Sequence, residues 1–348
     1  MIKDKRIRVM VVDDSLFMRE FIAAELSKDP GLLVVGKAAD AFEAGDKIME
    51  YNPDVLTLDI QMPRMNGIEF LRKLMPQYPL PVVVVSAVSG NVFDALNAGA
   101  VDFITKTALR SEADKRQFIT ELVVKIKIAS IAKVGQHKNA EARSQIAKNT
   151  ASKQKASGCL IAIGASTGGT EATAQILKDL GGDLPCIAIV QHMPPVFTRL
   201  YSERLNETCA MEVKEAASRD AVVPGRALIA PGGLHMTVVQ RESGMYVECR
   251  EGEKVNGHCP SVDVLFESVA KLKNVHMLGI ILTGMGSDGA RGLLSMRNAG
   301  AETIGQDQKT CVVYGMPAVA HNIGAVQFQM PLGDISRRIY DWHNRVCR

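Results

Sequence analysis

Residues 159–169 read CLIAIGASTGG. The first seven carry no charge, and the run stops at a serine set among glycines. A strand that is apolar along its whole length is buried on both faces, as in a parallel sheet covered by helices. The glycine-rich turn after it opens a helix over 169–180. Strand, tight turn and helix form the repeating unit of a doubly wound α/β sheet. CIAIVQ at 186–191 and LGIILTG at 278–284 repeat the pattern. VDVLFESVAKL at 262–272 has helical spacing, and GARGLLSMRNAG at 289–300 reads as a helix capped by Gly300. RALIAP, HMTVVQ and MYVECR, with turns of Pro, Gly and Ser, predict an antiparallel insertion around 227–250. Residues 158–348 are therefore expected to form a mostly parallel, doubly wound domain.

The same alternation fills the N-terminal part of the chain. RIRVMVVDD at 6–14, LLVVGKAA at 32–39, DVLTLDI at 54–60, PVVVVSA at 81–87 and VDFITK at 101–106 read as five strands. Helical spacing falls between them at 16–26, 41–50, 67–75 and 92–100, the last ending on Gly99, and again at 118–132. Five such units predict a flavodoxin-like α/β sheet over residues 1–132. Residues 133–157 are rich in Ala, Lys, Gln, Asn and Ser and read as a linker, partly helical or flexible. A flexible linker of this length spans about 25–30 Å. Residues 125–157 carry eight Lys or Arg against one acid, Glu141.

A chain of 348 residues suits two or three domains. Hydrophobic residues at 47% and charged residues at 23% describe a packed globular protein and exclude disorder as the main state. The net charge of +3 is too balanced to predict nucleic-acid binding. The basic linker also lacks a second apolar helix with which to build a helix-turn-helix. No apolar run reaches the 18 or so residues of a membrane span. The first apolar stretch runs straight into Asp13 and Asp14, unlike a signal peptide. A cytoplasmic protein with no membrane insertion is the expectation. The seven cysteines show no metal-binding or C-x-x-C spacing and are expected to be reduced, mostly buried thiols. None precedes Cys159, which fits two modules of different history.

In an open parallel sheet, ligands bind beyond the carboxyl ends of the strands. In the first module those ends deliver Asp13 and Asp14, Asp59, Ser86 and Lys106. Clustered carboxylates repel and call for a cation. An all-oxygen donor set suits Mg²⁺, with room for a phosphate oxygen. A carboxylate held there, beside a lysine, can attack a phosphoryl group. With VVDDS, LDIQMPRMNG, VVVVSA and DFITK, residues 6–130 resemble the receiver domain of two-component response regulators. The resemblance implies Asp59 as phosphoacceptor and Mg²⁺ held by Asp13, Asp14, Asp59 and the Gln61 carbonyl. It implies Ser86, Phe103 and Lys106 as switch residues. The family usually has proline after that lysine; here Thr107 follows.

The strand ends of the second module deliver Ser166, His192 and Asp288. A serine hydroxyl is a weak nucleophile until a neighbour takes its proton. Histidine takes it near neutral pH, and a buried carboxylate fixes its tautomer. Glycines let the turn expose the hydroxyl and bring backbone N–H groups near the reacting carbonyl. Gly164-Ala-Ser-Thr-Gly168 matches the nucleophile-elbow pattern, but the order Ser, His, Asp differs from that of α/β-hydrolases. Taken singly, these residues also fit a helix cap, a loop histidine and a turn aspartate.

IGASTGG, VQHMP, APGGLHM, HCPSVDVLF and LTGMGSDGA, spread over residues 160–291, together resemble the catalytic domain of chemotaxis protein-glutamate methylesterases. That resemblance implies a Ser166, His192, Asp288 triad with the Met285 N–H as oxyanion donor. It implies hydrolysis of γ-glutamyl methyl esters on methyl-accepting chemotaxis receptors, with deamidation of receptor glutamines, through an acyl-serine. No cofactor is expected for the hydrolysis. A chemotaxis histidine kinase would supply the phosphoryl group, and the unphosphorylated receiver would cover the esterase cleft. His235 and His258 lie in family-like stretches and are expected to be structural or substrate-contacting. The alternative is a response regulator whose second domain only binds a partner.

Overall fold

The computed structural model describes residues 6–87, 91–106, 111–135 and 158–347. The chain divides into two compact units, Met1–Lys138 and Asn139–Arg348. The first contains β1 (Ile7–Val12), α1 (Leu16–Leu26), β2 (Leu32–Ala38), α2 (Ala41–Tyr51), β3 (Val55–Asp59), α3 (Gly67–Gln77), β4 (Val82–Ser86), α4 (Val92–Asn97), β5 (Asp102–Thr105) and α5 (Glu112–Ala129). Its strands are ordered β2-β1-β3-β4-β5, and every pairing is parallel. β3 and β4 bury every residue, which is why apolar side chains dominate both and neither alternates with exposed polar ones. The strand order reverses between β1 and β3, so the crevice there receives the acids that end both strands.

Local chemistry sets the helix starts. Ser15, Asp40 and Asn66 cap α1, α2 and α3 by accepting N–H groups of the first turn. α5 begins at Glu112, six residues before the apolar periodicity. Its first turns are polar, and a capping box between Ser111 and Asp114 starts it. In α1 the buried residues are Ile22, Ala23 and Leu26, while Leu16 and Phe17 face outward. Thr107 and linker residues 136–157 lie outside the described residues.

The second unit contains β6 (Cys159–Ala165), α6 (Gly169–Lys178), β7 (Cys186–Gln191), α7 (Phe197–Thr208), β8 (Glu212–Glu215), β9 (Arg226–Ile229), β10 (His235–Arg241), β11 (Gly244–Arg250), α8 (Val262–Val269), β12 (His276–Ile281), α9 (Ala290–Asn298), β13 (Glu302–Gln306), α10 (Met316–Asn322), β14 (Phe328–Met330) and α11 (Leu332–Val346). Seven strands form a sheet ordered β14-β13-β12-β6-β7-β9-β8, with all pairings parallel. The connections leave β6 on one side for β7 and reach β12 on the other, so the switch point lies between β6 and β12.

Two expectations are corrected. The antiparallel insertion is only the β10–β11 hairpin, because β9 pairs in parallel with β7 and β8 as part of the main sheet. The cysteines are not all thiols, since Cys159 and Cys347 form a disulfide. The first residue of β6 and the residue after α11 meet across 188 positions, a proximity no local spacing reveals. Among the five free cysteines, Cys186 and Cys311 are buried and Cys209, Cys249 and Cys259 are half-buried.

Candidate functional site

Ser166, His192 and Asp288 come from the loops that follow β6, β7 and β12, three neighbouring strands. The Ser166 turn is held on several sides. Its N–H donates to the Thr283 carbonyl at 3.0 Å, and its own carbonyl accepts from Gly169 N–H at 2.7 Å. Gln191 Nε2 donates to the carbonyls of Ser166 and His192, at 2.9 and 3.2 Å, and so ties the two backbones together. Gly168 has φ +77°, which glycine alone adopts without strain, and α6 starts immediately after it. Gly284 is needed for space. A Cβ there would lie 2.6 Å from Ser166 Cβ and 2.4 Å from Met316 Sδ. The Gly284 carbonyl accepts from Gly315 and Met316, which fixes the backbone leading into Met285.

His192 donates from Nε2 to Asp288 Oδ2 at 2.8 Å. Its Nδ1 is buried and has no partner among the described residues. The carboxylate therefore selects the tautomer with its hydrogen on Nε2 and leaves the Nδ1 lone pair unprotonated. Asp288 is 1% exposed. It also accepts from Asn256 Nδ2 (2.9 Å), Ser261 Oγ (2.8 Å), Val262 N–H (2.7 Å) and Asp263 N–H (3.2 Å). Burial pushes its pKa up, but the His192 hydrogen bond and charge, Asn256 and the Val262 N–H outweigh that. The net effect holds the carboxyl well below the usual carboxylate range.

The supporting residues were not legible from the strand ends. Ser261 caps α8 and gives its hydroxyl hydrogen to Asp288. Asp263, also 1% exposed, accepts from Asn256 and from Gly292 N–H. His235 Nε2 donates to the Glu253 carbonyl and its Nδ1 accepts from Ser261 N–H. Both its nitrogens are engaged, so its role is to hold the Ser261 loop. The Asn256-Gly257 pair was the available sequence signal, as a turn dipeptide.

In the first unit, Asp13, Asp14 and Asp59 each bring a carboxylate oxygen within 4.8 Å of the others. Lys106 Nζ lies 2.5 Å from Asp59 Oδ2 and 2.8 Å from Asp13 Oδ2. Only the Asp59 contact is aligned as a hydrogen bond, which leaves Asp13 Oδ2 buried without one. Burial raises the Asp13 pKa, and Asp59 adds to this against the pull of Lys106. Burial alone would lower the Lys106 pKa, but the two carboxylates raise it. Gln61 N–H donates to Asp59 Oδ1 at 3.2 Å. Ser86 is fully buried at the end of β4, and Phe103 is buried on β5. Asp13 Oδ2, held by the Lys106 charge but without an aligned hydrogen bond, and the all-oxygen donors fit a hard divalent cation such as Mg²⁺.

Residues 161–339 match the family model of the CheB methylesterase, and residues 9–117 that of the response regulator receiver domain. Protein-glutamate methylesterase/protein-glutamine glutaminase 2 of Syntrophomonas wolfei subsp. wolfei is 56% identical over 344 residues, covering 98% of this chain and 99% of its own. The protein-glutamate methylesterase/protein-glutamine glutaminase of Salmonella typhimurium is 44% identical over 339 residues, covering 96% of each. The crystal structure of the Thermotoga maritima CheB methylesterase catalytic domain is 34% identical with a TM-score of 0.52. That match covers 53% of this chain and 98% of that one.

Proposed function

The chain belongs to the family of CheB protein-glutamate methylesterases with an N-terminal response-regulator receiver, and on that premise we propose which of its residues carry the reaction. An enzyme of this family hydrolyses protein γ-glutamyl methyl esters, deamidates protein glutamines and works in chemotaxis under control of its receiver. Ser166 Oγ passes its proton to His192 Nδ1 as it attacks the γ-carbonyl carbon. Met285 N–H receives the developing oxyanion. The tetrahedral adduct collapses, His192 returns the proton to the departing methoxide, and methanol leaves an acyl-serine. Water, deprotonated by the same Nδ1, then releases glutamate and Ser166. With a glutamine substrate ammonia leaves instead, and the acyl-serine is the same. The observation that carries this reading is the His192–Asp288 hydrogen bond through Nε2, with Nδ1 left open on the neighbour of the Ser166 strand.

The receiver takes its phosphoryl group on Asp59. Asp13, Asp14, Asp59 and the Gln61 carbonyl would hold Mg²⁺, which when bound neutralises charge on the phosphoryl oxygens. Lys106 holds the Asp59 oxygen in place, and Ser86 and Phe103 respond to the modification. The substrates are methyl-accepting chemotaxis receptors, the donor a chemotaxis histidine kinase, and the compartment the cytoplasm. No helix among the described residues is long and apolar enough to cross a membrane. The domains are 1–132 and 158–348, joined by 133–157.

The test is methanol release from methylated receptor membranes, with and without a phosphoryl donor. Ser166→Ala should release none. Asp59→Asn should keep basal release and lose the donor's stimulation. A 158–348 fragment should exceed the unphosphorylated whole. Ordinary turnover by Ser166→Ala would refute the assignment, and a fragment no faster than the whole would refute restraint by the receiver.

A further inference from the structure

Residues 255–258 read Val-Asn-Gly-His and make a tight turn. Asn256 (φ +52°) and Gly257 (φ +84°) both have positive φ, the pattern of a type I′ turn, for which Asn-Gly is the favoured pair. Val255 and His258 close the turn with two backbone hydrogen bonds of 3.0 Å each. The turn sends two side chains to neighbouring targets. Asn256 Nδ2 donates to Asp288 Oδ1 at 2.9 Å and to Asp263 Oδ2 at 2.8 Å. His258 lies flat against His192, with ring centroids 3.7 Å apart and planes 10° from parallel.

We propose that this turn is a clip on the base–acid pair, in which Asn256 grips Asp288 and His258 is a positioning residue that holds the His192 imidazole by its face. The inference rests on the assignment of Ser166, His192 and Asp288 given above and adds a residue outside that triad.

The physical need is rotational. The last torsion of a histidine side chain is broad and roughly two-fold. His192 has a side-chain hydrogen bond at Nε2 only, and its Nδ1 is unpartnered. A ring held at one corner can tilt about that bond. Tilting carries Nδ1 away from the serine hydroxyl, whereas proton transfer needs a heavy-atom separation of about 2.6–3.2 Å. A second flat ring at van der Waals distance blocks the tilt. It also covers one face of an imidazole that is only 7% exposed. The face of the His258 ring does this work, and its nitrogens take no part in the reaction.

The distinguishing experiment measures kcat, KM and thermal midpoint for the full-length protein on methylated receptor membranes. The variants are His258→Ala, His258→Gln, His258→Phe and Ser166→Ala. A base misplaced by a fraction of an ångström should lower kcat about 10- to 100-fold in the Ala and Gln variants, with KM within about twofold. His258→Phe, which keeps a flat ring and removes the nitrogens, should recover most of kcat. Ala and Gln variants with wild-type kcat would overturn the proposal. So would a Phe variant as slow as Gln, or a rise in KM alone, which would make His258 a substrate contact. If the Ala variant does not fold, the Gln and Phe pair decides. Methanol release by Ser166→Ala would break the underlying triad assignment instead.

Discussion

Asp13 and Asp288 are equally buried, at 1% exposure, and each lies beside the crevice where its sheet reverses order. Their charges nevertheless stand in opposite conditions. Asp288 gathers five hydrogen-bond donors and is held below the usual carboxylate range. Asp13 has a Ser15 N–H, one misaligned lysine contact and a like-charged Asp59, and its pKa is raised. Burial is the same in both, so the donors decide. One unit has built a permanent anion to orient a histidine. The other has built an anion surplus that waits for a cation. Preorganised charge suits a site whose histidine must keep one tautomer, and deficient charge suits a site that is switched by what binds there.

Removing each charge in turn should have opposite consequences in the two units. Asp288→Asn should lower methanol release about 10⁴-fold, because the amide supports the wrong imidazole tautomer. A loss below tenfold would mean that His192 is oriented by something else. Asp13→Asn should do the reverse to the fold. In EDTA it should stabilise the N-terminal unit by about 1 kcal/mol, since the cost of burying the Asp13 charge is gone, the Asp59 repulsion with it, and Lys106 keeps Asp59. Added Mg²⁺ should raise the unfolding midpoint of the wild type by mass action and leave Asp13→Asn unmoved. A destabilised variant would contradict the idea of an anion surplus.

The smallest expected effect concerns acid. Asp288 has a folded pKa below its ordinary value of 3.8. Its contribution to stability is therefore present above that value and fades as pH falls toward the lower, folded one. Urea unfolding of the C-terminal unit from pH 5 downward should lose stability over that window, and less so in Asp288→Asn.

How much could be read in advance followed the same physics. β6 and β7 were legible to the residue, because every side chain in them is buried and each apolar run stops at a polar turn. The residues after those runs are Ser166 and His192, the serine and histidine of the proposed triad. β8 and β14 were not seen. They are edge strands of four and three residues that bury only Val213, and nothing in EVKE or FQM separates them from loop. α7, α10, α11 and β13 also went unassigned. The polar opening of α5 hid six residues behind a capping signal at Ser111 and Asp114. The supports of the site were the least legible. Asn256, Ser261 and Asp263 sit in a loop and a helix start, and only the folded chain brings their donors to one carboxylate.

Ser166 is proposed to be made nucleophilic by His192 under the hold of Asp288. Labelling with a fluorophosphonate, followed by mass mapping of the adduct, tests it without any receptor. One adduct is expected, on Ser166, formed slowly or not at all in His192→Ala and Asp288→Asn. An unlabelled wild-type protein, an adduct elsewhere, or equal labelling in all three would contradict it.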